Sequence, residues 1–169
     1  KKVEAFPDQL AFLAADAAKF QLEPPFEAAF SFFDSFNYIV DLGHLGQVFK
    51  NVSDHLQPGA VFVFDLNTAY AFEQRMFDQK DTRKKTRVQY DWVGDYRPST
   101  RMIEVEMNFW VEGKPFIERH VQRAHSEEEI TDLLDAAGFE EIAIFDSYTL
   151  DRPRKTSDRV HYVATKRHR

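Results

Sequence analysis

Short apolar runs with little alternation mark the first half of this chain, and each ends in small polar residues. Ala28-Ala29-Phe30-Ser31-Phe32-Phe33 runs into Asp34-Ser35-Phe36-Asn37, and Val61-Phe62-Val63-Phe64 runs into Asp65-Leu66-Asn67. Such runs predict strands buried on both faces, over residues 27–33 and 60–65, and so a parallel sheet covered by helices. Residues 10–15, closed by Asp16, predict a further strand. Residues 19–25 predict a loop, because Pro24-Pro25 excludes helix. Between the two main runs, Leu42, Leu45, Val48, Phe49, Val52 and Leu56 recur at helical spacing. Pro58-Gly59 stops that helix and turns the chain into the next strand. Residues 68–77 predict another helix, with Tyr70, Phe72 and Phe77 facing inward and Asp65 or Asn67 as its cap.

The period then changes to two. After a basic, polar stretch at residues 79–86, expected to be an exposed loop, Val88, Tyr90 and Trp92 alternate with Gln89 and Asp91. Ile103, Val105, Met107, Phe109 and Val111 alternate with polar neighbours. Glu112-Gly113-Lys114-Pro115 turns the chain into residues 116–124. This predicts an antiparallel meander with one apolar and one polar face, the polar face carrying Glu118, His120 and Gln122. Ser126 followed by Glu129 is a capping box. The helix it opens, with Ile130, Leu133, Leu134 and Ala137 in its apolar stripe, ends at Gly138. Residues 141–148 and 159–165 predict the last two strands.

The chain has 169 residues, 43% of them hydrophobic and 17 of them Phe, which is enough for a real core. A net charge of -6 argues against nucleic acid as a partner, and the basic end Lys166-Arg167-His168-Arg169 reads as a solvated terminus. The absence of cysteine excludes disulfides and thiolate chemistry and fits a cytoplasmic protein. Six histidines without paired ligand spacing give no expectation of a metal site. No apolar stretch is long enough to span a bilayer.

The order of elements, together with particular stretches, resembles the class I S-adenosylmethionine-dependent methyltransferases, in their small-molecule branch with a β insertion. The stretches are Phe12-Leu13-Ala14-Ala15-Asp16-Ala17, Phe32-Phe33-Asp34-Ser35-Phe36-Asn37-Tyr38 and Leu56-Gln57-Pro58-Gly59-Ala60, followed through to Asp65. Leu133-Leu134-Asp135-Ala136-Ala137-Gly138-Phe139 and Val160-His161-Tyr162-Val163-Ala164-Thr165-Lys166 complete the set. The resemblance implies a Rossmann-like, mostly parallel α/β sheet with helices on both faces, truncated at its N-terminus. Residues 1–85 and 125–169 would form this core, and residues 86–124 the inserted meander covering the substrate. Strands 27–33, 60–65, 159–165 and 141–148 should lie side by side in that order, with only 159–165 antiparallel. The family's glycine-rich loop and ribose-binding acidic residue have no counterpart, since the six glycines fall at positions 43, 46, 59, 94, 113 and 138. The sequence thus reads as starting just before the family's third strand, with residues 1–8 as the lead-in, and strand 27–33 is expected to present a bare edge.

The same resemblance implies an S-adenosylmethionine cofactor held by Asp16, Ala17, Phe33, Asp34 and Tyr38. It further implies a small-molecule N or O methyl acceptor met by Asn37, Asn67, Trp92, Tyr96, Glu118, His120 and Arg123. Asp34 and His120 are the candidate proton acceptors, since histidine exchanges protons near neutral pH. Asp34 could equally cap the turn that follows it. A homodimer is compatible with these features. The competing reading is a non-catalytic ligand- or partner-binding module built on a degenerate form of the fold.

Overall fold

The computed structural model describes residues 10–23, 25–83 and 86–168, so the expected lead-in at residues 1–8 lies outside the described residues. In chain order the elements are β1 (Phe26–Ser31), a 3-10 turn (Ser35–Tyr38), α1 (Leu42–His55), β2 (Leu56–Asn67), α2 (Ala69–Glu73) and β3 (Gln79–Asp81). Then follow β4 (Val88–Arg97), β5 (Met102–Val111), β6 (Lys114–Arg123), α3 (Glu127–Ala137), β7 (Phe139–Asp146) and β8 (Arg159–Lys166). They form two four-stranded sheets.

The first sheet has the order β1-β2-β8-β7. β1 and β2 are parallel, and β8 runs antiparallel to both of its neighbours. This is the expected order, with the expected single reversed strand. Helices α1 and α3 cover one face. Asp41 caps α1 by accepting the His44 N–H at 2.7 Å. α3 opens on the full Ser126/Glu129 capping box and closes at Gly138, whose φ of 90° only glycine adopts cheaply. Under these helices Leu45, Phe49, Phe62, Phe64, Leu134 and Phe139 are fully buried. Each such side chain contributes about 1.5–3 kcal/mol of transfer free energy.

The opposite face is open among the described residues. Phe32, Val63, Phe145, Tyr148, Leu150 and Val163 line a shallow groove of about 720 Å³ there. β1 is an edge strand, and Phe30 on it is 74% exposed. Exposed apolar edges of this kind invite association.

The second sheet, β3-β4-β5-β6, is antiparallel throughout. It buries Ile103, Val105 and Met107 against Ala71, Phe72 and Ala124. Its register corrects one expectation. Glu118 lies opposite Met107, His120 opposite Val105 and Gln122 opposite Ile103. Directly paired residues share a face. The three polar side chains of β6 therefore stand on the same face as the apolar core positions of β5, not on a separate polar face.

Three local expectations also change. Residues 10–15 form no strand, and Phe12 and Leu13 are exposed, because no neighbouring strand among the described residues takes up their backbone hydrogen bonds. Within residues 79–86, Gln79–Asp81 pairs with β4 and becomes an edge strand. The helix predicted over residues 68–77 stops at Glu73, and Thr68, not Asp65 or Asn67, caps it. No helix among the described residues is long and apolar enough to cross a membrane. No group of three or more His, Cys, Asp or Glu among them could hold a metal ion.

Candidate active site

Ligands of open α/β sheets bind beyond the carboxyl ends of the strands. There the chain leaves β1 through Phe33 and Asp34, whose φ values of 64° and 50° are both left-handed. Two consecutive non-glycine residues in this region cost roughly 1–2 kcal/mol each, and such strain is found at functional sites. The Asp34 N–H donates to Asp65 Oδ1 at 2.9 Å, which holds the reversal in place. The 3-10 turn that follows buries Phe36 and Asn37 and leaves Tyr38 partly exposed.

Asp34 occupies the capping position of this turn without making a side-chain cap bond. Both of its carboxylate oxygens have other partners. Oδ1 accepts from Arg159 Nη2 at 3.0 Å, and Oδ2 accepts from Gln122 Nε2 at 2.7 Å. Arg159 also donates through Nη1 to Asp65, which is 1% exposed. Burial opposes the Arg159 charge, but its bonds to Asp34 and Asp65 outweigh that and raise its pKa further. The result is a fixed guanidinium between two carboxylates, joined to the meander through Gln122.

Tyr38 and β6 build the outer part of the site. The Tyr38 hydroxyl lies 2.8 Å from His120 Nδ1, and His120 Nε2 lies 3.1 Å from Glu118 Oε2. Burial raises the Tyr38 pKa, a bond from Gln122 lowers it, and the carboxylates of Asp34 and Glu118 raise it again. The structure thus brings Asp34, Tyr38, Glu118, His120 and Gln122 into one cluster.

Other expected site residues are engaged elsewhere. Asn37, expected at the substrate, is fully buried. Its Nδ2 donates to the carbonyls of Asn67 and Arg123 at 3.0 and 2.8 Å, and its Oδ1 accepts the Asn67 N–H at 2.9 Å. It locks the turn to the ends of β2 and β6. Asn67 is 5% exposed and contributes its backbone to that lock. Arg123 turns its guanidinium to Glu129 at 2.5 Å, and so to the start of α3. Trp92 and Tyr96 pack into the second core, Trp92 against Phe109 and Tyr96 against Phe72. Behind the turn, His125 Nε2 lies 3.3 Å from the Phe36 carbonyl. Burial pushes the His125 pKa down; the Phe36 bond and Glu129 oppose this, and Arg123 adds to it.

Asp16 stands in an exposed turn, where Oδ1 accepts the Ala18 N–H at 2.9 Å and lies 3.7 Å from His44 Nε2. Ala17 beside it is half-buried, and Phe33 is 76% exposed. Arg159 and Asp65 are the site residues that the sequence reading missed. Arg159 opens the last strand, 125 positions from Asp34, and only the strand register brings the two together.

No family model matches the chain. It is 25% identical over 170 residues to "Putative methyltransferase GWCH70_2453" of Geobacillus sp. (strain WCH70), covering 98% of this chain and 69% of that protein. The solved S-adenosylmethionine-dependent methyltransferase of Clostridium acetobutylicum superposes with a TM-score of 0.86 at 26% identity, covering 99% of this chain and 69% of that one. The amino pentose methyltransferase CalS10 of Micromonospora echinaspora, solved with S-adenosylmethionine, shares the fold. Its TM-score is 0.67 at 21% identity, covering 90% of this chain and 63% of that one. Together with the β1-β2-β8-β7 order and the meander spliced between β2 and α3, these likenesses show that the chain has the fold of, and is similar to, S-adenosylmethionine-dependent methyltransferases.

Proposed function

We propose that the protein transfers a methyl group from S-adenosylmethionine to the nitrogen of a small organic amine, and that this chain supplies the acceptor side of the site. The observation that carries this reading is the Gln122–Asp34 bond. It brings the meander face bearing His120 and Glu118 onto the carboxyl end of the sheet. The charge favours an amine over a hydroxyl. Asp34 and Asp65 against Arg159 leave one net negative charge, and Glu118 adds another beside the Tyr38 ring. A cleft of this sign concentrates cations. The solved neighbours include a sugar N-methyltransferase, which supports a nitrogen acceptor.

The cofactor supplies an electrophilic methyl group when bound. Asp16, Ala17 and Phe33 are the residues of this chain that would hold its adenine end. Asp34 is a fixed anion that orients the acceptor, with Tyr38 at its side. His120 takes up the proton that an ammonium must lose before its nitrogen can attack. Alignment of the reactants is the main catalytic effect such a site offers, and it is worth up to roughly 7–11 kcal/mol.

The test uses the natural polypeptide that contains these residues, with methyl-labelled S-adenosylmethionine and paired amine and hydroxyl analogues of small sugars. Label should pass to the amines, and Asp16→Ala should weaken cofactor binding by about 1–3 kcal/mol, the usual cost of an unpaired polar group. Transfer to hydroxyl analogues alone would overturn the nitrogen reading. Unchanged cofactor affinity in Asp16→Ala would remove Asp16 from the site.

A further inference from the structure

His120 cannot meet an acceptor directly, because both of its ring nitrogens are occupied. Nε2 faces Glu118 Oε2 at 3.1 Å, and Nδ1 faces the Tyr38 hydroxyl at 2.8 Å. A carboxylate only accepts hydrogen bonds, so in the neutral ring the proton sits on Nε2 and Nδ1 carries the lone pair. Nδ1 then accepts from Tyr38, and the Tyr38 oxygen, which already takes a bond from Gln122, keeps one lone pair for an incoming group. Tyr38 is 44% exposed, whereas the His120 side chain is 28% exposed. Burial and the neighbouring carboxylates favour the protonated phenol, against the Gln122 bond, which is the state required to donate to Nδ1.

We infer that Tyr38 is the catalytic residue that touches the acceptor, as the outer end of a Tyr38–His120–Glu118 proton relay; this rests on the amine reading above. The acceptor's N–H bond breaks, and its proton passes to the Tyr38 oxygen. The Tyr38 O–H bond breaks as its own proton moves to His120 Nδ1. The nitrogen keeps the electron pair it needs for attack. The positive charge moves from the ammonium to the imidazolium, which faces Glu118. His120 and Glu118 act through Tyr38 and are positioning residues.

Asp34, itself paired with Arg159, and Gln122 lie beside Tyr38, and Glu118 lies beside His120. On the neighbouring strand Val105 faces His120.

Two measurements decide the matter. Nitrogen-15 NMR of His120 in the natural polypeptide should show the Nε2–H form, and Tyr38→Phe should shift the Nδ1 resonance. A dominant Nδ1–H form would overturn the relay whatever the enzyme methylates. In kinetics, Tyr38→Phe should lower kcat at pH 7 by ~10²-fold or more, the lower end for a positioned acid–base group. Turnover should recover at high pH, where the amine loses its proton to water, and Glu118→Gln should lower kcat while leaving KM unchanged. Wild-type turnover in Tyr38→Phe, with His120→Ala impaired, would show that His120 acts directly and would sink the inference. If the wild type methylates hydroxyls alone, the amine reading falls, while the tautomer result still decides the relay.

Discussion

Asn37 allows the sharpest test of how the site is held together. Its side chain makes three hydrogen bonds, all to backbone groups: two buried ones to the Asn67 N–H and carbonyl and a part-buried one to the Arg123 carbonyl. Asn37→Ala leaves those three groups without partners. Each such bond is worth about 0.5–1.5 kcal/mol net, and a buried group left unsatisfied costs up to about 3. The expected loss is roughly 2–5 kcal/mol. In a chain of this size each kcal/mol moves Tm by about 2–4 °C, so the melting point should fall by roughly 4–20 °C. Asn37→Asp is the more telling change. It keeps the shape and the acceptor facing the Asn67 N–H, but it sets an oxygen against two carbonyls. It should be at least as damaging as Ala, although an asparagine that merely touched substrate would tolerate it. The assay is urea or thermal unfolding followed by circular dichroism. If both variants lie within about 1 kcal/mol of the parent, the lock does not exist.

Two further outcomes follow from the same geometry. Arg159→Leu strands Asp34 and Asp65 as unpaired carboxylates, with Asp65 1% exposed, and should cost about 3–5 kcal/mol in urea unfolding, while a loss below 1 would show that the triad is not a buried ion pair. His125 has its pKa lowered in the folded chain, mainly by burial, so the unfolded chain binds the proton more readily. The resulting stability is fully present above the unfolded value of about 6.5 and is lost as pH falls through that value toward the folded pKa. Stability measured from pH 7.5 to 5 should therefore decline, and His125→Phe should flatten the decline; an equal slope in both proteins would remove His125 as its cause.

The sheet was legible because its strands are apolar on both faces and its helices carry their own punctuation. Residues 28–31 and 61–64 satisfy their backbones by pairing within the sheet, and Ser126, Glu129 and Gly138 mark the ends of one helix from local chemistry alone. Residues 10–15 carry a similar apolar run and yet form no strand. A strand needs a neighbour, and composition does not supply one. β6 misled for another reason. Its alternation is mixed, with Phe116, Glu118, His120 and Gln122 on one face and Ile117, Arg119 and Val121 on the other, so period two alone does not say which face joins the core. The site residues most easily misassigned were the amides and the arginines. Asn37 and Arg123 sit beside the cluster but bond to the fold, while Arg159 enters the cluster from the far end of the chain. Where such side chains go depends on register, which the sequence does not display.

The short turn after β1 shows why the fold and the site cannot be separated here. A 3-10 turn repeats every three residues, so neighbouring side chains leave it about 120° apart. Phe36 goes into the first core, against Phe49, Phe62 and Phe64. Asn37 goes to the backbone ends of β2 and β6, and Tyr38 goes to His120. Asp34, just ahead of the turn, goes to Arg159 and Gln122. Four residues within five positions thus reach the core, the sheet end, the meander and the ion pair. Any change that rotates the turn moves all four at once. A loss of activity in a Phe36 or Asn37 variant would therefore report geometry, whereas a Tyr38 variant that keeps its Tm and loses its pH-dependent turnover would report chemistry.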